Sequence, residues 1–323
     1  MPSTRRGAQV GGGSMRRRRP SGRCHSRSSE KLYARSFLGP TDSETSLCQA
    51  TTVTCYKWCM PLEPVTSPTS TDAATRRPLA VWLAGTIRWD DYLAMSERLA
   101  GDVADARGRN PTLVICEIEP CITIGRAGSR CDVRLSDDDL ASRRLPVRFT
   151  GRGGGAVLHG PGQVVAAMFA PLEDLGFKLH DVGGVVAAFQ RGLAAAIAAV
   201  GCGSHAIVPG THGVFGRTGL LAAVGLAFRR GVACHGGFLN ATPPLDVYHR
   251  IDTIPARRHS TGEAAMMGSI EADMQRRVRI QDVRTAVVQG IADAFDMPRI
   301  HINAGLPVRI QPPHQPEVIS RVG

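Results

Sequence analysis

Apolar positions change period several times along the chain, and those changes outline the elements. Runs rich in β-branched and aromatic residues at 80–86, 112–118, 121–125, 146–150, 156–159, 164–171, 220–230 and 232–240 are bounded by Gly, Pro or charge and predict strands. Between them the spacing turns helical. Asp90 opens a helix with Leu93, Leu99 and Val103 among its apolar positions, and Ser136 caps a short charged one over 136–144. Asp181 caps a long helix whose stripe is Val182, Val185, Val186, Phe189, Leu193, Ile197 and Val200, and Gly201 stops it. A last helix uses Ile280, Val283, Val287, Ile291 and Phe295. Residues 253–267 carry little pattern and are expected to form a loop over the site. The order predicts the α+β class: a mixed, largely antiparallel sheet flanked by helices, gathered on one side, without regular βαβ alternation.

The strand run is interrupted at 151–163 by GRGGGAVLHGPGQ, in which six of thirteen residues are glycine and one is proline. Glycine costs about 1 kcal/mol per site in a helix and proline about 3, so the segment is read as strand, glycine turn, short strand, second turn. Three successive glycines remove side chains and leave bare backbone for a ligand to lie against, bracketed by Arg152 and His159. Gly151, Gly153 and Ala156 satisfy G-x-G-x-x-G/A, but Gly160-Pro161-Gly162 arrives before any helix, which argues against a dinucleotide site. No Gly-Lys-Ser/Thr follows to make a phosphate loop. A glycine-rich hairpin without a ligand would explain the turns but not the arginine and histidine at their ends.

Charge divides the chain. Residues 1–77 hold 13 Lys/Arg against 5 Asp/Glu, leaving 26 against 23 in residues 78–323, so the basic balance belongs mostly to the leader. That leader, with Arg16 to Arg19 and scattered Ser, Gly and Pro, reads as a disordered basic segment, a transit peptide or an extension upstream of a start at Met60. A nucleic-acid arm ranks last among its readings. The body, 78–323, is long enough for one core. It contains no run of 18 apolar residues of the kind that spans a membrane. Nine cysteines without a secretory signal read as reduced thiols, and none has zinc-like spacing, so the expectation is a cytoplasmic enzyme with no metal.

The segment RGGGAVLHGPGQ (152–163) resembles the signature of the lipoyl(octanoyl) transferases of the biotin/lipoate protein ligase superfamily. EPCITIGRAGS (119–129), AAVGLAFRRGVACHGGFLN (222–240) and RID (250–252) are similar to the family's neighbouring blocks, in the same order. The resemblance implies the ligase catalytic-domain fold over 78–323. It also implies transfer of an octanoyl group from acyl carrier protein to a lysine of a lipoyl domain, in 2-oxoacid dehydrogenase complexes or the glycine cleavage H protein. No cofactor, nucleic acid or membrane is implied. Carried over by position, acyl binding falls on Arg152, Gly153, Gly154, Gly155, Ala156, Val157, Leu158 and His159, on Ala223, Val224 and Gly225, and on Gly236, Gly237 and Phe238.

In the family a cysteine carries the acyl group and a lysine assists it. Those two positions fall here on Ile254 and Leu220. Three accounts follow. Cys234 substitutes as nucleophile, with Arg217 or His235 as its activator; or the acyl group passes directly between two bound substrates; or the chain binds acyl groups or lipoyl domains without turnover. An ATP-dependent ligase is the rival from another class, although the ligases too place a lysine where Leu220 stands.

Overall fold

The structure, a computed structural model, describes residues 77–105, 110–208, 210–254 and 266–308. All of them fall in the second of two compact units, Pro64–Gly323. The leader and the middle of the expected 253–267 loop lie outside the described residues.

Eleven strands form two sheets among these residues. In chain order they are β1 (Leu79–Ile87), β2 (Thr112–Ile118), β3 (Cys121–Ile124), β4 (Val147–Phe149), β5 (Ala156–His159) and β6 (Gln163–Pro171). Then follow β7 (Ala206–Ile207), β8 (Gly213–Phe215), β9 (Leu220–Arg229), β10 (Val232–Asn240) and β11 (Ile300–Ala304). The large sheet runs β11-β1-β2-β6-β10-β9-β8-β7, and the small one β4-β3-β5. Only the β11–β1 and β1–β2 pairs of the large sheet are parallel, so it is mixed and largely antiparallel.

The helices are α1 (Trp89–Asp105), α2 (Asp137–Ser142), α3 (Val182–Ala199), α4 (Ile270–Met274) and α5 (Ile280–Ala294). Strand β6 shows how the sheet divides them. Val164, Ala166, Met168 and Ala170 face one core with α3 and α5, while Val165, Ala167 and Phe169 face a second core with α1 and the small sheet. A central strand covered on both faces has no polar alternation, as a sheet between two layers requires. The helices therefore sit on both faces rather than one, because α1 carries Tyr92, Met95, Leu99 and Val103 on a stripe of its own.

Local chemistry sets the punctuation. Asp181 accepts a hydrogen bond from the Gly184 amide at the start of α3, and Gly201, at φ 89°, ends it. Helix α3 is long and apolar enough to cross a membrane by composition, but Val185, Phe189, Leu193 and Ile197 are buried in the first core. Strands β9 and β10 are joined at Arg230 and Gly231, both at positive φ, which is the two-residue turn that matches strand twist. The turn before β6 is held by the Glu117 carboxylate, which accepts from the Gly162 amide and pairs with Arg284 of α5.

Candidate active site

The glycine segment forms a floor by receiving other backbone. Gly125, Arg126 and Ala127 donate their amides to the carbonyls of Gly155, Arg152 and Gly154, and Gly153 donates to Leu226 of β9 at 2.9 Å. A Cβ on Gly125 would lie 2.5 Å from the Gly154 carbonyl oxygen, and one on Gly155 would lie 2.3 Å from that of Thr253. Close backbone approach is thus one reason for glycine here. The Gly153 amide is committed to β9 and is not a donor for a ligand.

Above this floor opens a cavity of about 650 Å³, its mouth included. From the glycine segment, Arg152, Gly154, Gly155, Val157 and His159 line it. Gly153, Ala156 and Leu158 do not; the last two alternate away along β5. Ala223, Val224 and Gly225 of β9 and Gly236, Gly237 and Phe238 of β10 form further walls. The sequence reading missed Trp89, Tyr92, Val165, Thr211 and His212, all of which also line the cavity, as does Thr253 at the start of the expected loop. For Trp89 and Tyr92 a signal existed: with Met95, Ser96, Leu99 and Val103 they complete the helical spacing of α1.

Arg152 is buried, and its bonds end on neutral oxygens. Nη1 donates to the Gly153 carbonyl, and Nη2 to Thr123 Oγ1 at 2.6 Å and to the Thr123 and Gly155 carbonyls. Burial pulls its pKa down to about 10, so it remains a cation near neutral pH. Thr123 Oγ1 in turn lies 3.0 Å from His159 Nε2, and His159 Nδ1 lies 2.7 Å from Gln163 Oε1. An amide oxygen only accepts, so Nδ1 carries the proton and Nε2 accepts from Thr123. Gln163 then donates to Asn240, and Asn240 to the Gly268 carbonyl. Both His159 nitrogens are spent in this chain. Burial and the neighbouring Arg152 push its pKa down to about 3, and the indole of Trp89 stacks on it at 5.7 Å.

His235 differs. Its Nδ1 lies 3.2 Å from the Tyr92 hydroxyl, the ring has no further polar partner among the described residues, and it lines the cavity. It sits in a strand at φ 62°, a conformation costly for a residue with a Cβ. Burial, then Arg152 and Arg229, lower its pKa to about 4.

The structure does not bring Cys234 or Arg217 to this cavity. The Cys234 thiol packs in the second core, on the cavity's face of the sheet but not among the lining residues; it donates to the Ala227 carbonyl at 3.4 Å, and burial raises its pKa. Arg217 closes a turn instead: its amide and guanidinium both bond Asp273. Leu220 and Ile254 both approach Gly213. Their Cδ1 atoms lie 2.6 and 3.5 Å from the place a Cβ on Gly213 would occupy. Leu220 is fully buried, and Ile254 lines the cavity. No lysine or cysteine is among the described lining residues.

A glycine-floored apolar cavity in this mixed sheet defines a class, and the comparisons agree: the chain belongs to the lipoyl protein ligase A/B catalytic domain family, matched over residues 90–292. Its similar relatives are octanoyltransferases. That of Citrifermentans bemidjiense is 35% identical over 168 residues, 52% of this chain and 76% of the relative. That of Geobacter metallireducens is 31% identical over 63% of this chain and 87% of its own length. That of Mycobacterium leprae strain Br4923 is 31% identical over 62% and 82%. Among solved structures, lipoate-protein ligase A bound with ATP superposes with TM-score 0.54 at 14% identity, covering 70% of this chain and 88% of that one. The bi-partite lipoate protein ligase of Thermoplasma acidophilum gives 0.52 at 15%, covering 70% and 86%. These two likenesses establish the fold.

Proposed function

We propose that the protein is an acyltransferase of lipoate biosynthesis that moves an octanoyl group from acyl carrier protein to a lysine of a lipoyl domain. The acceptor domain belongs to a 2-oxoacid dehydrogenase complex or to the glycine cleavage H protein, and the reaction takes place in the cytoplasm without a cofactor. The observation that carries this reading is the apolar cavity on the glycine floor, walled by Val157, Val165, Val224 and Phe238, with Arg152 and His235 among its polar groups. Each methylene of the acyl tail buried there contributes about 0.8 kcal/mol. The glycine backbone lets the chain lie against the sheet, and Arg152, clamped by its four bonds, holds the floor in shape.

A second reading has an observation of its own. Apolar Leu220 and Ile254, both beside Gly213, stand where the resemblance puts the family's lysine and cysteine, as expected of a protein that binds acyl groups or lipoyl domains without turnover. The full chain is incubated with octanoyl-carrier protein and apo lipoyl domain, with and without ATP, and the products are weighed by mass spectrometry. The expected result is octanoylated lipoyl domain in both arms. Binding of the octanoyl carrier without transfer supports the second reading, and transfer only with ATP supports a ligase.

A further inference from the structure

Resting on that reading, we propose that His235 is the catalytic residue: held by Tyr92, it takes the proton from the acceptor lysine during direct, single-step transfer, with no acyl-enzyme intermediate. The argument begins with what the cavity contains. Among its described lining residues there is no thiol and no amine, so neither half of the family's reacting pair stands there. The described lining carries five titratable side chains: Tyr92, Arg152, His159, His212 and His235. Arg152 is a permanent cation spent on the floor, and both nitrogens of His159 are bonded. His212 is exposed, where water competes for its ring. Tyr92 is buried, which pushes its pKa up and keeps its hydroxyl neutral. Among the described residues, His235 alone combines burial, one anchored nitrogen and a ring that lines the cavity.

The Tyr92 hydroxyl can accept from Nδ1 or donate to it, and the proposed step uses the first arrangement: with the proton on Nδ1 and donated to the Tyr92 oxygen, Nε2 carries the lone pair. The faces of His235 carry like chemistry: α1 contributes Tyr92, while the charged groups that act on it are Arg152 of the floor and Arg229 of β9, both cations. They keep the resting ring neutral and therefore able to accept. In the step itself the lysine nitrogen attacks the thioester carbonyl carbon, the N–C bond forms and the C–S bond breaks. The amine proton passes to Nε2 and then to the departing sulfur, so the products are the amide and the free carrier thiol, and His235 ends neutral. Proximity of the two substrates supplies what covalent catalysis supplies elsewhere.

The left-handed backbone makes a clean test available, because glycine is the residue that φ 62° favours. His235→Gly is expected to fold and to lose about 10²–10⁴-fold in kcat, with KM for octanoyl-carrier protein within about threefold. Added imidazole is expected to restore at least tenfold of the loss by occupying the vacated space. An unchanged kcat in the variant overturns the assignment, and so does a loss that imidazole does not restore. Octanoate found covalently on the unmodified protein overturns the single-step route. In each of these cases acyl transfer by the unmodified chain still stands; no transfer by that chain overturns the functional reading together with this one.

Discussion

At Arg152 the fold keeps a buried guanidinium whose hydrogen bonds all end on neutral oxygens. A buried cation is tolerated when its donors are satisfied, and the forked, planar head of arginine does this for carbonyls of two separate segments. Lysine carries three donors at one point and cannot span them. Arg152→Lys is expected to cost about 2–4 kcal/mol, read as a lower urea midpoint, and to weaken octanoyl-carrier binding. The importance of this residue was legible in the sequence, since it stood beside three glycines. Its partners were not: Thr123 is 29 residues away, and nothing in a strand reading singles it out. The Tyr92–His235 contact, 143 residues apart, was still less accessible, because the apolar count over α1 picked Leu93 where the structure buries Tyr92.

Elements with strong periodicity were legible nearly to their ends. The long helix was read with its cap and its stop, and β5 with its exact bounds. What escaped were pieces stabilised mainly by a distant partner. Strand β11 is only five residues long and largely exposed, and it exists as a parallel neighbour of β1 more than 200 residues earlier. Strands β7 and β8 are two and three residues long, too short for any period. One close approach between elements invites a measurement. Helices α3 and α5 cross where a Cβ on Gly290 would lie 2.4 Å from the Gly192 carbonyl oxygen. Gly290→Ala is expected to push the helices apart and cost about 1–3 kcal/mol, visible as a lower thermal midpoint. The cavity is on the opposite face of the sheet, so kcat should stay within about twofold of the parent at 25 °C.

Across the whole molecule, two buried imidazoles couple folding to acidity. The ordinary histidine value is 6.5, and the folded protein holds His159 near 3 and His235 near 4 because burial disfavours the charged ring. Between 6.5 and those values the unfolded chain binds more protons, so stability falls as pH falls. The contribution is complete above pH 6.5 and shrinks below it by about 1.4 kcal/mol per pH unit for each ring. Urea titrations at pH 7, 6 and 5 should show this decline. His159→Gln is expected to flatten the slope by about half, whereas an unaltered slope would mean the ring is not a neutral group of the native state.

The parallel pairing of β1 with β11, Leu79 beside Ile300 and Leu83 beside Ala304, makes the first and last described strands neighbours at one edge of the large sheet. Neighbouring strands can be joined covalently without crossing the sheet. A tether long enough to run back along β11 from residue 304 to residue 79, about 15 Å, with new termini cut at the Arg230–Gly231 turn, would yield a permuted protein with the same floor and the same walls. That rearrangement would also reverse the order of synthesis, so that β10 and His235 are made before β1 rather than long after it.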